Sequence, residues 1–128
     1  MKEKDLQCLF RNWLKANWKQ SAAFELKICK RPRFYLKCIA EHQLGNLELA
    51  NKGLFFWKLA DLGLQNAFDC FTLYQVPAYV VIFFYKPRRP KIFYMIPIDT
   101  IQTIINHGDK SINEEVAAKI AEVRGELK

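Results

Sequence analysis

The stretch AFELKI, Ala23-Phe24-Glu25-Leu26-Lys27-Ile28, alternates apolar and polar residues with a period of two. The alternation predicts a strand over residues 22–30, with Phe24, Leu26 and Ile28 on one face and Glu25, Lys27 and Cys29 on the other. A carboxylate and an ammonium then stand two positions apart on one side, about 6.6–6.8 Å along the strand. One reading is a half-solvated strand whose wet face happens to be charged. The other is a pair of groups that hold a divalent cation and a phosphate between them.

Outward from that strand the pattern changes period. Before it, Leu6, Leu9, Phe10, Trp13, Leu14 and Trp18 recur at three- and four-residue steps and predict an amphipathic helix over 3–19. After it, a basic turn with Pro32 leads through Phe34-Tyr35-Leu36 into a helix over 38–52 that ends near Gly53. Residues 54–60 (LFFWKLA), 68–74 (FDCFTLY) and 78–85 (AYVVIFFY) read as strands, the last apolar throughout and therefore central. KIFYMI at 91–96 completes a hairpin across the PRRP turn, and Pro97-Ile98-Asp99 opens a short helix that stops near Gly108. A last helix over 112–127 is expected as an appendage. It is opened by the capping-box pattern Ser111-Ile112-Asn113-Glu114 and striped by Val116, Ile120, Val123 and Leu127. The order predicts one α/β domain over 1–128, a central mixed sheet flanked by helices.

Composition narrows the class. A chain of 128 residues with 51% hydrophobic content can build one domain with a real core. Its most apolar run, VPAYVVIFFY at 76–85, has ten residues, whereas a membrane helix needs about twenty, so a soluble protein without a membrane partner is expected. The opening MKEKDLQCLF lacks the apolar core of a secretory signal. Cys8, Cys29, Cys38 and Cys70 form no CxxC pair and only His42 and His107 could join them, which is not zinc-site spacing. Reduced thiols in apolar surroundings and a cytoplasmic location are the expectation.

The net charge is +7, and residues 1–37 hold all of the excess, with ten Lys or Arg against Glu3, Asp5 and Glu25. A concentrated basic surface attracts phosphate polyanions in a salt-dependent way, although runs of charge also serve solubility alone. A second basic cluster, KPRRPK at 86–91, lies in the hairpin turn.

The chemistry of the AFELKI face can be specified further. A carboxylate offers hard oxygen to Mg²⁺, which commonly takes one or two protein carboxylates and keeps several waters. A neighbouring lysine can orient the attacking water or stabilise the phosphate in the transition state. Asp69, in AFDCF, sits among phenylalanines at a strand start, an awkward place for an unpartnered charge. Asp61, in KLADLG, reads equally as a turn aspartate or as a site residue. Gln43, beside His42, could bring a neutral amide to a phosphate or to the lysine. Lys30, Arg31 and Arg33 follow the strand directly. Trp13, Trp18, Tyr35 and Trp57 could stack on bases of opened or branched DNA, but Trp13 and Trp57 are expected in the core, and Tyr35, within KRPRFYLK, is the best candidate for a nucleic-acid contact. His42 reads as a hydrogen-bonded helix residue and His107 as a helix-end residue.

FELK, followed about fifteen residues later by EHQLGNL on a helix, resembles the PD-(D/E)xK nuclease superfamily, and more narrowly resolvases of the RecU type and small phage resolvase-like proteins. Phe24, Glu25, Lys27, His42 and Gln43 carry the likeness, which extends over residues 1–105 through DLGLQNAFDCFTLYQVPAYVVIFFY and KIFYMIPID. The resemblance implies a restriction-endonuclease-like sheet and a Mg²⁺- or Mn²⁺-dependent DNA endonuclease related to Holliday-junction resolvases, working as a homodimer in a bacterial or phage-infected cell. It implies Glu25 as metal ligand, Lys27 as motif lysine, Gln43 as helix amide and Glu3 as the N-terminal acid. Nucleic-acid contacts would come from Lys30, Arg31, Arg33, Tyr35, Arg88 and Arg89. The family carries its motif aspartate on the strand before E-x-K, but residues 16–24 contain no acid. Either Asp69 or Asp61 enters the site in permuted order as catalytic or metal ligand, or the domain binds nucleic acid without turnover. A small adaptor assembling through its C-terminal helix is the third alternative.

Overall fold

Residues 78–84 are buried along their whole length, and the surrounding elements are arranged to cover them on both faces. The computed structural model describes residues 2–58 and 70–128. Its elements run α1 (Glu3–Asn17), β1 (Ala23–Cys29), β2 (Arg33–Tyr35), a 3₁₀ turn (Leu36–Cys38), α2 (Glu41–Lys52), β3 (Leu54–Lys58) and β4 (Cys70–Tyr74). They continue with β5 (Ala78–Phe84), β6 (Lys91–Pro97), α3 (Ile98–Asn106), β7 (Ser111–Asn113), α4 (Glu114–Ile120) and β8 (Val123–Leu127).

Four strands form a mixed sheet in the order β1-β5-β6-β8. β1 and β5 are parallel, while β5–β6 and β6–β8 are antiparallel. A parallel pair needs a long crossover, and α2 with the β3–β4 hairpin supplies it. Along β5 the side chains alternate between two cores. Tyr79, Val81 and Phe83 meet Leu6 and Phe10 of α1, while Val80, Ile82 and Phe84 meet Leu47 of α2, Ile98 and Ile101 of α3 and Ala117 of α4. Helices therefore cover both faces, which is why the β5 sequence is apolar without alternation. The expected α/β class with a mixed sheet flanked by helices is the observed one. Among the described residues no helix is long and apolar enough to cross a membrane.

The expected C-terminal helix over 112–127 is not formed. Ser111–Asn113 is β7, antiparallel to β2, only Glu114–Ile120 is helical, and Val123–Leu127 is the fourth strand of the sheet. Without β8 the far edge of the buried strand β6 would leave backbone N–H and C=O groups unpaired, a cost that local helix formation does not offset. The ladder starts where Glu122 N–H donates to Met95 O at 2.8 Å. Gly125 fits the strand because the Phe93 ring occupies the space of its missing side chain. The helix cap shifts too: Asn113 Oδ1, not Ser111, accepts from Val116 N–H at 2.8 Å. Of the expected stripe, Leu127 is buried with the α1-side core while Val116 stays exposed.

Smaller corrections follow from the same packing. The second helix begins at Glu41 after a 3₁₀ turn, not at residue 38. Cys29 alone of the four thiols is buried; Cys8 and Cys38 are exposed, and all are free. The expected strands over 54–60 and 68–74 are seen as Leu54–Lys58 and Cys70–Tyr74, their remaining residues lying outside the described residues.

Candidate active site

β1 is the edge strand of the sheet, and its period-two pattern decides which side chains go where. Phe24, Leu26 and Ile28 pack toward α1, while Ala23 and Cys29 join the core on the α2 side. Glu25 and Lys27 share that second face by parity. α2 begins close by, and its third residue is Gln43. Gln43 Oε1 accepts from the Ala40 N–H at 3.0 Å, satisfying a backbone donor ahead of the first helical turn. This fixes the amide so that its Nε2 donates to Glu25 Oε1 at 2.9 Å. Lys27 Nζ stands 3.6 Å from the same oxygen, an ion pair too long to count as a hydrogen bond. The Lys27 and Glu25 side chains are 16% and 27% exposed, so the pair is only partly screened by solvent.

Glu25 also faces two cavities, each of about 300 Å³. Toward α1 it shares a groove with Glu3, Gln7 and Arg11. Toward α2 it shares one with Gln43, Asn46 and the aromatic side chains of the β3–β4 hairpin. The expected trio Glu25, Lys27 and Gln43 is thus brought together, and Glu3 lines the same groove as Glu25. Asp61 and Asp69 lie outside the described residues. Among the described residues no cluster of three or more His, Cys, Asp or Glu side chains is placed to hold a metal ion.

The basic segments converge at the C-terminal ends of β1 and β5. Tyr85 N–H donates to Cys29 O at 2.8 Å, and Lys30 Nζ lies 6.0 Å from the Tyr85 ring centroid. This brings the turn after β1 against the turn after β5, although more than fifty residues separate them in the chain. Lys30, Arg31 and Arg88 are exposed there, and Arg88 takes a positive φ of 64° in the turn. Tyr35 is exposed, with Lys37 Nζ at 5.9 Å from its ring centroid.

Two of the expected nucleic-acid contacts, Arg33 and Arg89, are exposed and also hold partners within the chain. Arg33 Nε donates to Ser111 Oγ at 2.8 Å and its Nη2 to Ser111 O at 3.2 Å, tying β2 to β7. Arg89 Nη2 donates to both oxygens of Glu114 at 2.9 Å, and Tyr94 Oη donates to Glu114 Oε2 at 2.8 Å. Burial works to push the Glu114 carboxyl up, but hydrogen bonds from Arg89 and Tyr94, with the charges of Arg89 and Lys86, hold it below the usual carboxylate range. Tyr94 is pushed up by burial and by its bond to Glu114, against a smaller opposing pull from Arg124.

Trp57, expected in the core, is 52% exposed on the hairpin, whereas Trp13 packs edge-on against Phe93. The structure sets this hairpin beside Glu25, a neighbour that the strand pattern alone does not specify. The signal was the alternation of Phe55 and Trp57 in LFFWK, which puts two aromatic rings on one face.

The fold and the site define a mixed α/β domain whose edge strand offers a carboxylate and a lysine to a helix amide beside a basic end. Comparison with protein-family models, with curated proteins and with solved structures gave no match to this chain.

Proposed function

We propose that the domain is a metal-dependent DNA endonuclease of the Holliday-junction-resolvase kind, its sheet arranged in the restriction-endonuclease manner. The observation that carries this reading is the meeting of Glu25, Lys27 and Gln43 at one carboxylate oxygen, the amide arriving from 18 residues away. The junction of two basic turns at the end of the β1–β5 pair supports it, because a phosphate backbone is drawn to such a surface. In open α/β sheets ligands favour the carboxyl ends of parallel strands.

Glu25 is a carboxylate of the kind a hydrated Mg²⁺ or Mn²⁺ accepts, and Glu3 lines a groove on the α1 side of the same strand. Such an ion neutralises charge on a phosphate and lowers the pKa of a water it holds. Lys27 supplies a fixed cation next to the phosphate, and Gln43 holds the Glu25 carboxylate in place. Asp61 and Asp69 are the acids the proposal adds from the later segment. Two symmetric cuts in a branched DNA call for two sites related by a two-fold axis, hence a homodimer.

One observation favours a second reading, a binding module without turnover: Oε1 of Glu25 is already satisfied by the protein's own ammonium and amide, as in a structural ion pair. Cleavage assays on labelled branched and linear DNA with Mg²⁺, Mn²⁺ or EDTA separate the two. Glu25→Ala and Lys27→Ala are expected to abolish metal-dependent cleavage while low-salt binding persists. Cleavage that continues in EDTA, or survives both substitutions, rejects the proposed site. Binding without cleavage in either metal supports the second reading.

A further inference from the structure

The cavity between α2 and the β3–β4 hairpin has two unlike walls. On the hairpin side, Phe55 and Trp57 stack with centroids 6.0 Å apart and 30° between planes. Phe71 stands opposite Trp57 on the neighbouring strand and so shares its face. Trp57 and Phe71 are 52% and 44% exposed, so large π-surfaces are left uncovered at the cavity. On the β1 and α2 side, the polar residues Gln43, Asn46 and Glu25 stand among the apolar Ala23, Phe24, Leu47 and Ala50. A flat apolar wall in a cavity that also holds polar groups matches a planar heterocycle that stacks on one face and hydrogen-bonds at its edge. The volume of about 300 Å³ is at the small end for a ligand cleft.

We infer that this cavity receives an unpaired nucleobase of a bound DNA strand, stacked on Trp57 and Phe71. The inference rests on the nucleic-acid reading above and narrows its substrate to DNA with at least one unstacked nucleotide. Glu25 links the two parts: it belongs to the trio and also lines the cavity, so a backbone held at Glu25 and Lys27 brings its adjoining base to the aromatic wall. The net charge of +7 and the two basic turns select an occupant attached to a polyanion over a neutral ring. A base inside an intact duplex cannot reach the wall, because its faces are covered by its neighbours.

The test compares three labelled DNAs at low salt in EDTA by fluorescence anisotropy: a blunt duplex, that duplex with one bulged nucleotide, and the same bulge made abasic. The wild type is expected to bind the bulge more tightly than the other two. Trp57→Ala should weaken bulge binding about tenfold, to the abasic level, with duplex binding unchanged. Trp57→Phe should keep most of the preference. Phe71→Ala, from the partner strand, is the second variant if Trp57→Ala lowers the melting temperature enough to impair folding. A wild type that binds DNA but does not distinguish base from abasic site overturns the inference and leaves the proposed function standing. So does a preference that survives loss of either aromatic side chain. No binding to any of the three DNAs overturns the proposed function and the inference together. If Trp57→Ala turns a dimer into a monomer in sedimentation, the wall belongs to a second copy and the inference fails.

Discussion

Replacing Gly125 by alanine has opposite signs for the two ways the C-terminal segment could fold. Within a helix over 112–127, Gly125→Ala would stabilise the protein by about 1 kcal/mol through helix propensity. In the observed strand β8, the added Cβ would meet Phe93 Cζ at 2.3 Å and Cε1 at 2.5 Å. Carbon atoms rest about 3.5–4.0 Å apart, so the ring would have to retreat by more than ~1 Å. It has nowhere to go. Phe93 is fully buried, with Phe10 and Trp13 set edge-on against it at centroid distances of 5.3 and 4.8 Å. Overpacking of this kind costs about 1–3 kcal/mol, against which the lower entropy of the unfolded chain returns about 0.4–1 kcal/mol. The expected net loss is about 1–2 kcal/mol, or about 4–8 °C in melting temperature for a domain of this size. Equilibrium urea unfolding followed by tryptophan fluorescence measures it. Phe93→Leu in the Gly125→Ala background should recover part of the loss, because the smaller side chain vacates the contested space. A midpoint at or above wild type for Gly125→Ala, with no coupling to position 93, would refute the placement of β8 against β6.

Two pH effects follow from groups away from the candidate site. Glu114 is held below its ordinary value, so its contribution is present above the unfolded value of 4.5 and is lost as pH falls through the folded value. Arg89→Met should cost about 1–2 kcal/mol near neutrality, allowing for partial exposure of the pair. The gap to wild type should narrow in acid unfolding curves as pH falls below 4.5 and through the folded value; a gap independent of pH would contradict this. Tyr79 is pushed up to about 12 from 10.0, first by burial and then by the Glu122 carboxylate. Its contribution is complete below pH 10 and falls as pH rises toward 12, by at most about 2.7 kcal/mol. Tyr79→Phe should flatten the alkaline limb of the stability curve, and an unchanged limb would remove Tyr79 as its cause.

Much of the fold was legible because burial leaves a periodic trace. α1 shows the three-to-four spacing of a helix with one wet face, and β1 the period of two. The uninterrupted apolar run of β5 follows from its being covered on both sides. Residues 112–127 failed for a physical reason: four apolar residues separated by three or four positions fit a helix, but two of them, Val123 and Leu127, equally fit alternate positions of a strand. What settles the matter is the unpaired edge of β6, more than twenty residues earlier, and no local pattern carries that. Gly125 was the one local sign against a helix, since glycine in a helix interior is unfavourable.

The candidate site divides along the same line. By itself the sequence determined that Glu25 and Lys27 share a strand face and that Gln43 lies early on the following helix, because both are consequences of short-range periodicity. Only the tertiary structure decided that Gln43 reaches Glu25, that Arg33 and Arg89 pair with Ser111 and Glu114, and that Trp57 is exposed and not core. Side-chain partners are chosen by which elements the packing of the two cores brings within a few ångströms, and that choice depends on the whole chain at once.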